Sequence, residues 1–149
     1  MLKLRPVKEH DIEKVRQLEY KTLGVLYSIS RDPIVFRYHI AHNSYFFIIR
    51  NKTKIGILRY TILNDKIYVD SFVILQPCRK LKYINIILKY LVTFKVPVII
   101  FVHPSATSSM RILELQGFNY TSTVARPIVS SWLDNLDTPS STSYMFVKS

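Results

Sequence analysis

The chain has 149 residues, 48% apolar and 13% aromatic, enough to bury one core and unlike the charged, apolar-poor composition of disordered chains. Its longest apolar run, Val96 to Val102, is broken by Pro97 and far shorter than the roughly 18–20 residues of a spanning helix. One cysteine, Cys78, excludes a disulfide framework and a cysteine-rich zinc site.

Leu2–Arg5 is expected to be a short strand stopped by Pro6, and a helix should start near Glu9–Asp11, whose acids suit the positive end of its dipole. Ile12, Val15, Leu18, Thr22 and Leu23 give that helix its apolar face. Arg31–Pro33 punctuate the chain, and Ile34–Ile40 is predicted as a second short helix. Three runs rich in Ile, Tyr, Phe and Val follow: Tyr45–Arg50, Ile55–Leu63 and Lys66–Leu75, separated by Asn51–Lys54 and by Asn64-Asp65. Such runs with short turns predict an antiparallel meander. Beyond Gln76-Pro77 the period changes, because Leu81, Ile84, Leu88 and Leu91 step by three, four and three, the spacing of a helix face. Val98–Val102, apolar throughout, predicts a central strand covered on both sides. His103-Pro104 ends it. Ser105–Gln116 is predicted as a helix capped by a serine or threonine and stopped at Gly117. Phe118–Val124 and Tyr144–Lys148 are the last strands, with a polar excursion, Ser130–Ser143, between them. The expected fold class is α/β (α+β-like), one domain over residues 1–149, with helices on a mostly antiparallel sheet.

The chain carries 21 Lys+Arg against 10 Asp+Glu, a net charge of +11, and the excess is concentrated. Between Pro33 and Leu113 twelve bases face only Asp65 and Asp70, a local surplus of ten. Such a field favours an anionic partner: nucleic acid, a phosphorylated cofactor or an acidic membrane face. Arg50, Lys52 and Lys54 frame one turn and Lys82 and Lys89 line a helix, with Tyr83 and Tyr90 among them. Bases interleaved with aromatics suit a single-stranded nucleic-acid groove, so these five bases are candidate nucleic-acid contacts. Met1–Pro6 carries charges with no apolar stretch behind them, so a reducing, intracellular and cytoplasmic setting is expected.

Leu4-Arg5-Pro6 before an acidic helix start, the meander, Pro77 followed by bases and a helix, and a later helix ending in Gly117-Phe118 together resemble the GCN5-related N-acetyltransferase (GNAT) family. The likeness runs over nearly the whole chain. It implies a mixed, mostly antiparallel sheet of six to seven strands with about four helices. It also implies a fourth strand that splays from the fifth, with acyl-coenzyme A in the gap and pyrophosphate on the first turn of the next helix. Acetyl-CoA is the implied cofactor. Arg79, Lys80, Lys82 and Tyr83 are the implied phosphate contacts, and backbone N–H groups around Val73–Leu75 the implied oxyanion donors. The family's loop glycines correspond to Tyr83 and Asn85, and the tyrosine that serves as general acid corresponds to Leu113.

Asp70 is the one acid in the strand bordering the implied cleft, and a carboxylate there can take a proton from an attacking amine. Tyr68, Tyr83 and Tyr120 are possible replacements for the missing acid. His103 ends the central strand, where α/β sheets present functional groups. His39, His103 and Asp70 together would suit a metal or acid/base chemistry, but nothing in their spacing brings them together, and no metal site is assigned. Cys78 precedes a basic helix start, with no accompanying motif. The expected function is a divergent acyl-CoA-dependent N-acyltransferase, with a nucleic acid or another anionic partner bound by the basic patch as candidate carriers of its amine acceptor. The alternative is an inactive binding module of the same fold for nucleic acid or an acidic protein. The sequence is compatible with a monomer or a homodimer.

Overall fold

The computed structural model describes residues 1–24, 28–125 and 142–149. Seven strands, β1 (Leu2–Pro6), β2 (Ser44–Arg50), β3 (Thr53–Leu63), β4 (Lys66–Ile74), β5 (Val98–Val102), β6 (Asn119–Val124) and β7 (Ser143–Lys148), form one sheet. Their order is β1-β2-β3-β4-β5-β7-β6. All neighbours are antiparallel except β4 and β5. Four helices cover it: α1 (Ile12–Thr22), α2 (Pro33–His42), α3 (Leu81–Val92) and α4 (Thr107–Leu115).

The meander forms because each connection is a two-residue turn whose residues accept positive φ. Asn51 (φ 47) and Lys52 (φ 68) join β2 to β3, and Asn64 (φ 51) and Asp65 (φ 58) join β3 to β4. That is the hairpin geometry matching the strands' twist. The first turn is tighter than the four residues expected, since Thr53 and Lys54 already pair with Arg50 and Ile49.

Two cores lie on the two faces. Ile48, Leu58, Ile67, Val69, Phe72 and Ile74 pack with α3 and with Leu113 of α4. Val15, Leu18, Phe36, Phe47, Ile57 and Val73 form the core beneath α1 and α2. On α3 the buried positions are Tyr83, Ile84, Ile87, Leu88 and Leu91, one stripe at helical spacing. Each such aliphatic side chain contributes about 1.5–3 kcal/mol by leaving water.

Helix ends differ from expectation in two places. Asp32 caps α2 through the Ile34 N–H at 2.9 Å, with Pro33 at the first turn. The residue before α4 is Ala106, without a side-chain cap, because His103 organises that turn instead. Strand β5 is buried throughout, as its apolar sequence predicts. Most of the polar excursion lies outside the described residues, and its last residue, Ser143, already belongs to β7.

Candidate active site

The opening begins where β4 and β5 part. They pair only through Ile67↔Val98, Tyr68↔Ile99 and Val69↔Ile100. Beyond that point β4 continues along β3 as far as Ile74, while β5 continues along β7. The two strands therefore follow different neighbours, which separates them at residue 70.

Asp70 stands at this fork. Arg59 pairs with Ser71 and Tyr60 with Val69, so Asp70 is the extra residue of a β-bulge, the device by which strands re-aim a side chain. It is 7% exposed.

Beyond the bulge the ladder decides which amides face the opening. Leu75 donates its N–H to the Ile55 carbonyl on β3 at 2.8 Å. Alternation along an antiparallel pair then turns the Val73 N–H to β3 as well, and the N–H groups of Phe72 and Ile74 away from it. Of the amides expected around Val73–Leu75, those of Val73 and Leu75 are turned to β3, while that of Ile74, with Phe72 just before the range, is turned away from it. The Ile74 carbonyl, also turned from β3, accepts from Arg79 Nε at 2.9 Å.

After β4 a turn at Gln76–Cys78 leads to α3, whose N-cap residue, Lys80, provides no side-chain cap. An uncapped first turn leaves backbone N–H groups for an anion. Tyr83 and Asn85 replace the expected glycines. Tyr83 is 8% exposed and belongs to the core, and Asn85 Oδ1 accepts from Gln116 Nε2 at 3.0 Å. Arg50, at the end of β2, donates to the Tyr83 hydroxyl at 3.4 Å and lies 5.7 Å from its ring centroid. Lys82 Nζ lies 5.1 Å from the same ring. The Arg50 hydrogen bond, with Lys82 and Lys80 nearby, pulls the Tyr83 hydroxyl below the ordinary tyrosine range.

The five nucleic-acid candidates fall in separate places. Arg50 and Lys82 belong to the α3 start, and Lys52 to the tip of its hairpin. Lys54 lies over Phe47, in the core beneath α1 and α2. Lys89 sits two turns along α3 from Lys82, about 10 Å away, and lines a cavity with Lys95 and Lys148.

The other expected catalytic groups also separate. His103 is buried, and its Nδ1 accepts the Ser105 N–H at 3.0 Å and lies 2.7 Å from the Ser105 hydroxyl. It thus closes the turn between β5 and α4. Tyr120 is 51% exposed on β6, two strands from β5, with its hydroxyl 2.9 Å from Thr123 Oγ1. The structure does not bring it to the gap. Leu113 is fully buried in the core. Cys78 is half-buried. Among the described residues no group of three or more His, Cys, Asp or Glu is arranged to hold a metal.

A polar cluster beneath α1 and α2 went unanticipated. Glu19 is fully buried, and its Oε1 accepts from the Ser28 hydroxyl (2.8 Å), the Ser30 hydroxyl (2.6 Å) and the Ser30 N–H (3.3 Å). Its Oε2 accepts from the Tyr45 hydroxyl at 2.8 Å. Burial and the Glu19 charge push the Tyr45 hydroxyl well above the usual range. Arg59, 5% exposed, lies 5.5 Å from the Tyr45 ring centroid. Thr61 donates to Asn43 Oδ1 at 2.8 Å, and the Asn43 amide nitrogen lies 2.7 Å from His39 Nδ1. Burial, then the charges of Arg59 and His42, bring His39 down to about 4. The signal for Glu19 was present in the sequence, since it lies with Val15, Leu18 and Thr22 on the buried stripe of α1.

With this geometry in hand, comparison with solved structures decides the architecture. Arabidopsis thaliana Naa50, in complex with the bisubstrate analogue CoA-Ac-MVNAL, superposes with a TM-score of 0.69 at 16% identity, over 99% of this chain and 98% of that one. An N-acetyltransferase of Thermoplasma acidophilum in complex with coenzyme A gives 0.67 at 15%, over 99% and 98%. A GNAT-family acetyltransferase of Bacillus cereus gives 0.68 at 14%, over 99% and 96%. The chain has the GNAT fold. No family model and no curated protein matches the sequence, so the likeness lies in the GNAT architecture rather than in shared residues. The splayed β4 and β5, the expected sheet and the four helices all agree with that architecture. Among the described residues no helix is long and apolar enough to cross a membrane.

Proposed function

We propose that this protein is an acyl-coenzyme A-dependent N-acyltransferase. The observation that carries the reading is the parting of β4 and β5 after Val69↔Ile100, in an acetyltransferase fold, with the Phe72 and Ile74 amides turned into the opening. The uncapped start of α3 supports it: Arg50, Arg79, Lys80 and Lys82 gather there, and Gln116 holds the Asn85 side chain. These four side chains would hold the phosphates by charge in place of a glycine cradle.

When bound, the acyl-coenzyme A supplies the thioester whose carbonyl carbon an acceptor amine attacks. The Phe72 and Ile74 N–H groups stabilise the oxygen that gains negative charge, a role worth about 2.7–4 kcal/mol per donor in characterised enzymes. Asp70 takes the proton that the nitrogen loses as the C–N bond forms, directly or through water. The C–S bond then breaks. A thiol with a pKa of about 8.5 departs as thiolate without a dedicated acid, which is compatible with leucine at position 113.

Thermal unfolding with acetyl-CoA tests this. Ligand at about 100 times its dissociation constant adds about 2.7 kcal/mol, a rise of roughly 5–10 °C at about 2–4 °C per kcal/mol. Arg50→Gln and Lys82→Gln should each weaken binding roughly tenfold, the effect of about 1.4 kcal/mol. No shift with acetyl-CoA, or an equal shift with inorganic pyrophosphate, overturns the proposal. The second reading, a binding module of this fold, draws on the buried Leu113 and on the basic central segment. Acetyl-CoA binding without thiol release, for every amine tried, would favour it.

A further inference from the structure

The face of the sheet beneath α1 and α2 carries a polar row that the acyl site does not use. By register Tyr45 stands opposite Arg59 and Arg59 opposite Ser71, on β2, β3 and β4. All three are buried. Glu19 closes one end of the row through Tyr45. The other end, Ser71, directly follows the bulged Asp70 at the fork.

Two donors of the row have no acceptor among the described residues. Arg59 Nε and Ser71 Oγ are both buried and without a hydrogen-bond partner. Among the described residues no carboxylate comes within 4.0 Å of the Arg59 guanidinium. The one acid of the cluster, Glu19, already accepts from four groups. His39 lies close enough to feel the Arg59 charge, and with Nδ1 accepting from Asn43 its neutral ring carries the proton on Nε2. Arg59 hydrogen-bonds Tyr45, but leaving Arg59 Nε and Ser71 Oγ unmet is costly for each group. A planar anion would relieve both costs at once, and carboxylate is the group whose two oxygens match a guanidinium N–H beside a hydroxyl.

We propose that Arg59 and Ser71 bind the carboxylate of a small acceptor whose amine lies at Asp70, so that the substrate class is the α-amino acid. The proposal rests on the acyl-transfer reading above. Asp70 and Ser71 are consecutive, with Cα atoms about 3.8 Å apart. Amine and carboxylate must therefore sit on the same or adjacent carbons, which a polyamine or a polypeptide N-terminus does not offer.

The test uses the full chain with acetyl-CoA and reads thiol release, with L-α-amino acids (glycine included), their primary amides, spermidine and a short peptide as acceptors. At least one amino acid should be used about a hundredfold better, in kcat/KM, than its amide. Arg59→Gln should raise KM for that amino acid tenfold or more, with acetyl-CoA affinity unchanged. Arg59→Lys should restore part of the loss, and Ser71→Ala should raise KM several-fold in a fold no more perturbed than wild type. Equal use of acids and amides, or preference for spermidine or peptide, overturns the proposal and leaves Arg59 a structural partner of Tyr45. Failure of acetyl-CoA to bind overturns the acyl-transfer reading instead. In that event a glycine titration followed by the His39 ring resonances decides the site: an upward shift of the His39 pKa, lost in Arg59→Gln, supports the carboxylate site, and no shift refutes it.

Discussion

Replacing Glu19 by alanine should be the most costly single change beneath α1 and α2. The carboxylate is fully buried and accepts from four groups on two segments: Ser28 with the Ser30 hydroxyl and amide, and Tyr45. A hydrogen bond to a charged group contributes about 1.5–3 kcal/mol, but the four share one carboxylate and cannot be added. Ser28 and Ser30 retain a mutual contact at 2.7 Å, which limits the loss on that side. The stranded groups are then the Ser30 amide and the Tyr45 hydroxyl, beside a cavity of carboxylate size. Together these set the cost at about 3–5 kcal/mol, the range for breaking a buried charged network. Against a total stability of about 5–15 kcal/mol that leaves a marginal fold and lowers the melting temperature by roughly 10 °C. Urea unfolding of Glu19→Ala, Glu19→Gln, Tyr45→Phe and the Gln/Phe double variant measures it. Glu19→Gln, which keeps one acceptor oxygen, and Tyr45→Phe should each cost about 1–2 kcal/mol, and the double variant should cost less than their sum. A Glu19→Ala protein within 1 kcal/mol of wild type would show that the carboxylate does not hold residues 28–31 to α1.

Two further outcomes follow from the same geometry. His39 is held down to about 4 from 6.5, first by burial and then by Arg59 and His42; between those pH values the unfolded chain binds a proton that the folded chain refuses, so stability falls as pH drops from 6.5 to 4. The full shift corresponds to about 3 kcal/mol, reduced to about 1–2 kcal/mol for a half-exposed ring, and His39→Gln should flatten the profile of urea midpoint against pH; an unchanged slope refutes the assignment. Gly56→Ala should cost about 2–3 kcal/mol in the same assay, because a Cβ there would meet the carbonyl oxygen of Val73 and press Ile48 Cδ1 at 3.3 Å; a loss under 0.5 kcal/mol would show that β3 and β4 can separate at that point.

The elements were legible because period and punctuation agree with the tertiary fold. Ile84, Leu88 and Leu91 line the buried face of α3 as their spacing predicts, whereas Leu81 is 51% exposed in its first turn, and Asn64-Asp65 turn with positive φ. Thr53 and Lys54 looked like turn residues because they are polar, yet only two residues with positive φ are needed and the ladder claims the rest. Within Val73–Leu75 only the Ile74 amide is turned from β3, for a different reason. Which amides face the gap depends on pairing parity with β3, and parity cannot be read from β4 alone. Tyr120 and His103 were attractive as isolated side chains, but strand order sends β6 to the far edge and Ser105 engages the imidazole. The buried Glu19 and Arg59 have the opposite history. Each occupies a position of apolar periodicity, and a charge on a buried stripe is more informative than a charge on a basic surface.

The position of Asp70 is itself a consequence of packing. On β4 the residues facing α3 and α4 are Ile67 and Val69, then Phe72 and Ile74. The step from 69 to 72 breaks the two-residue alternation, because a strand that kept its phase would have turned Phe72 and Ile74 out of this core. One extra residue restores the phase, and that residue is Asp70. β3 shows the same device, with Ile55 and then Leu58 and Tyr60 in that core and an irregularity against β2 between Ile48 and Ile49. The apolar residues on either side of the slip therefore determine where β4 bulges, and the bulge falls where pairing with β5 ends. A polar residue tolerated at that one position is delivered to the fork whatever its chemistry. The carboxylate is the local choice, and the place is dictated by Val69 and Phe72.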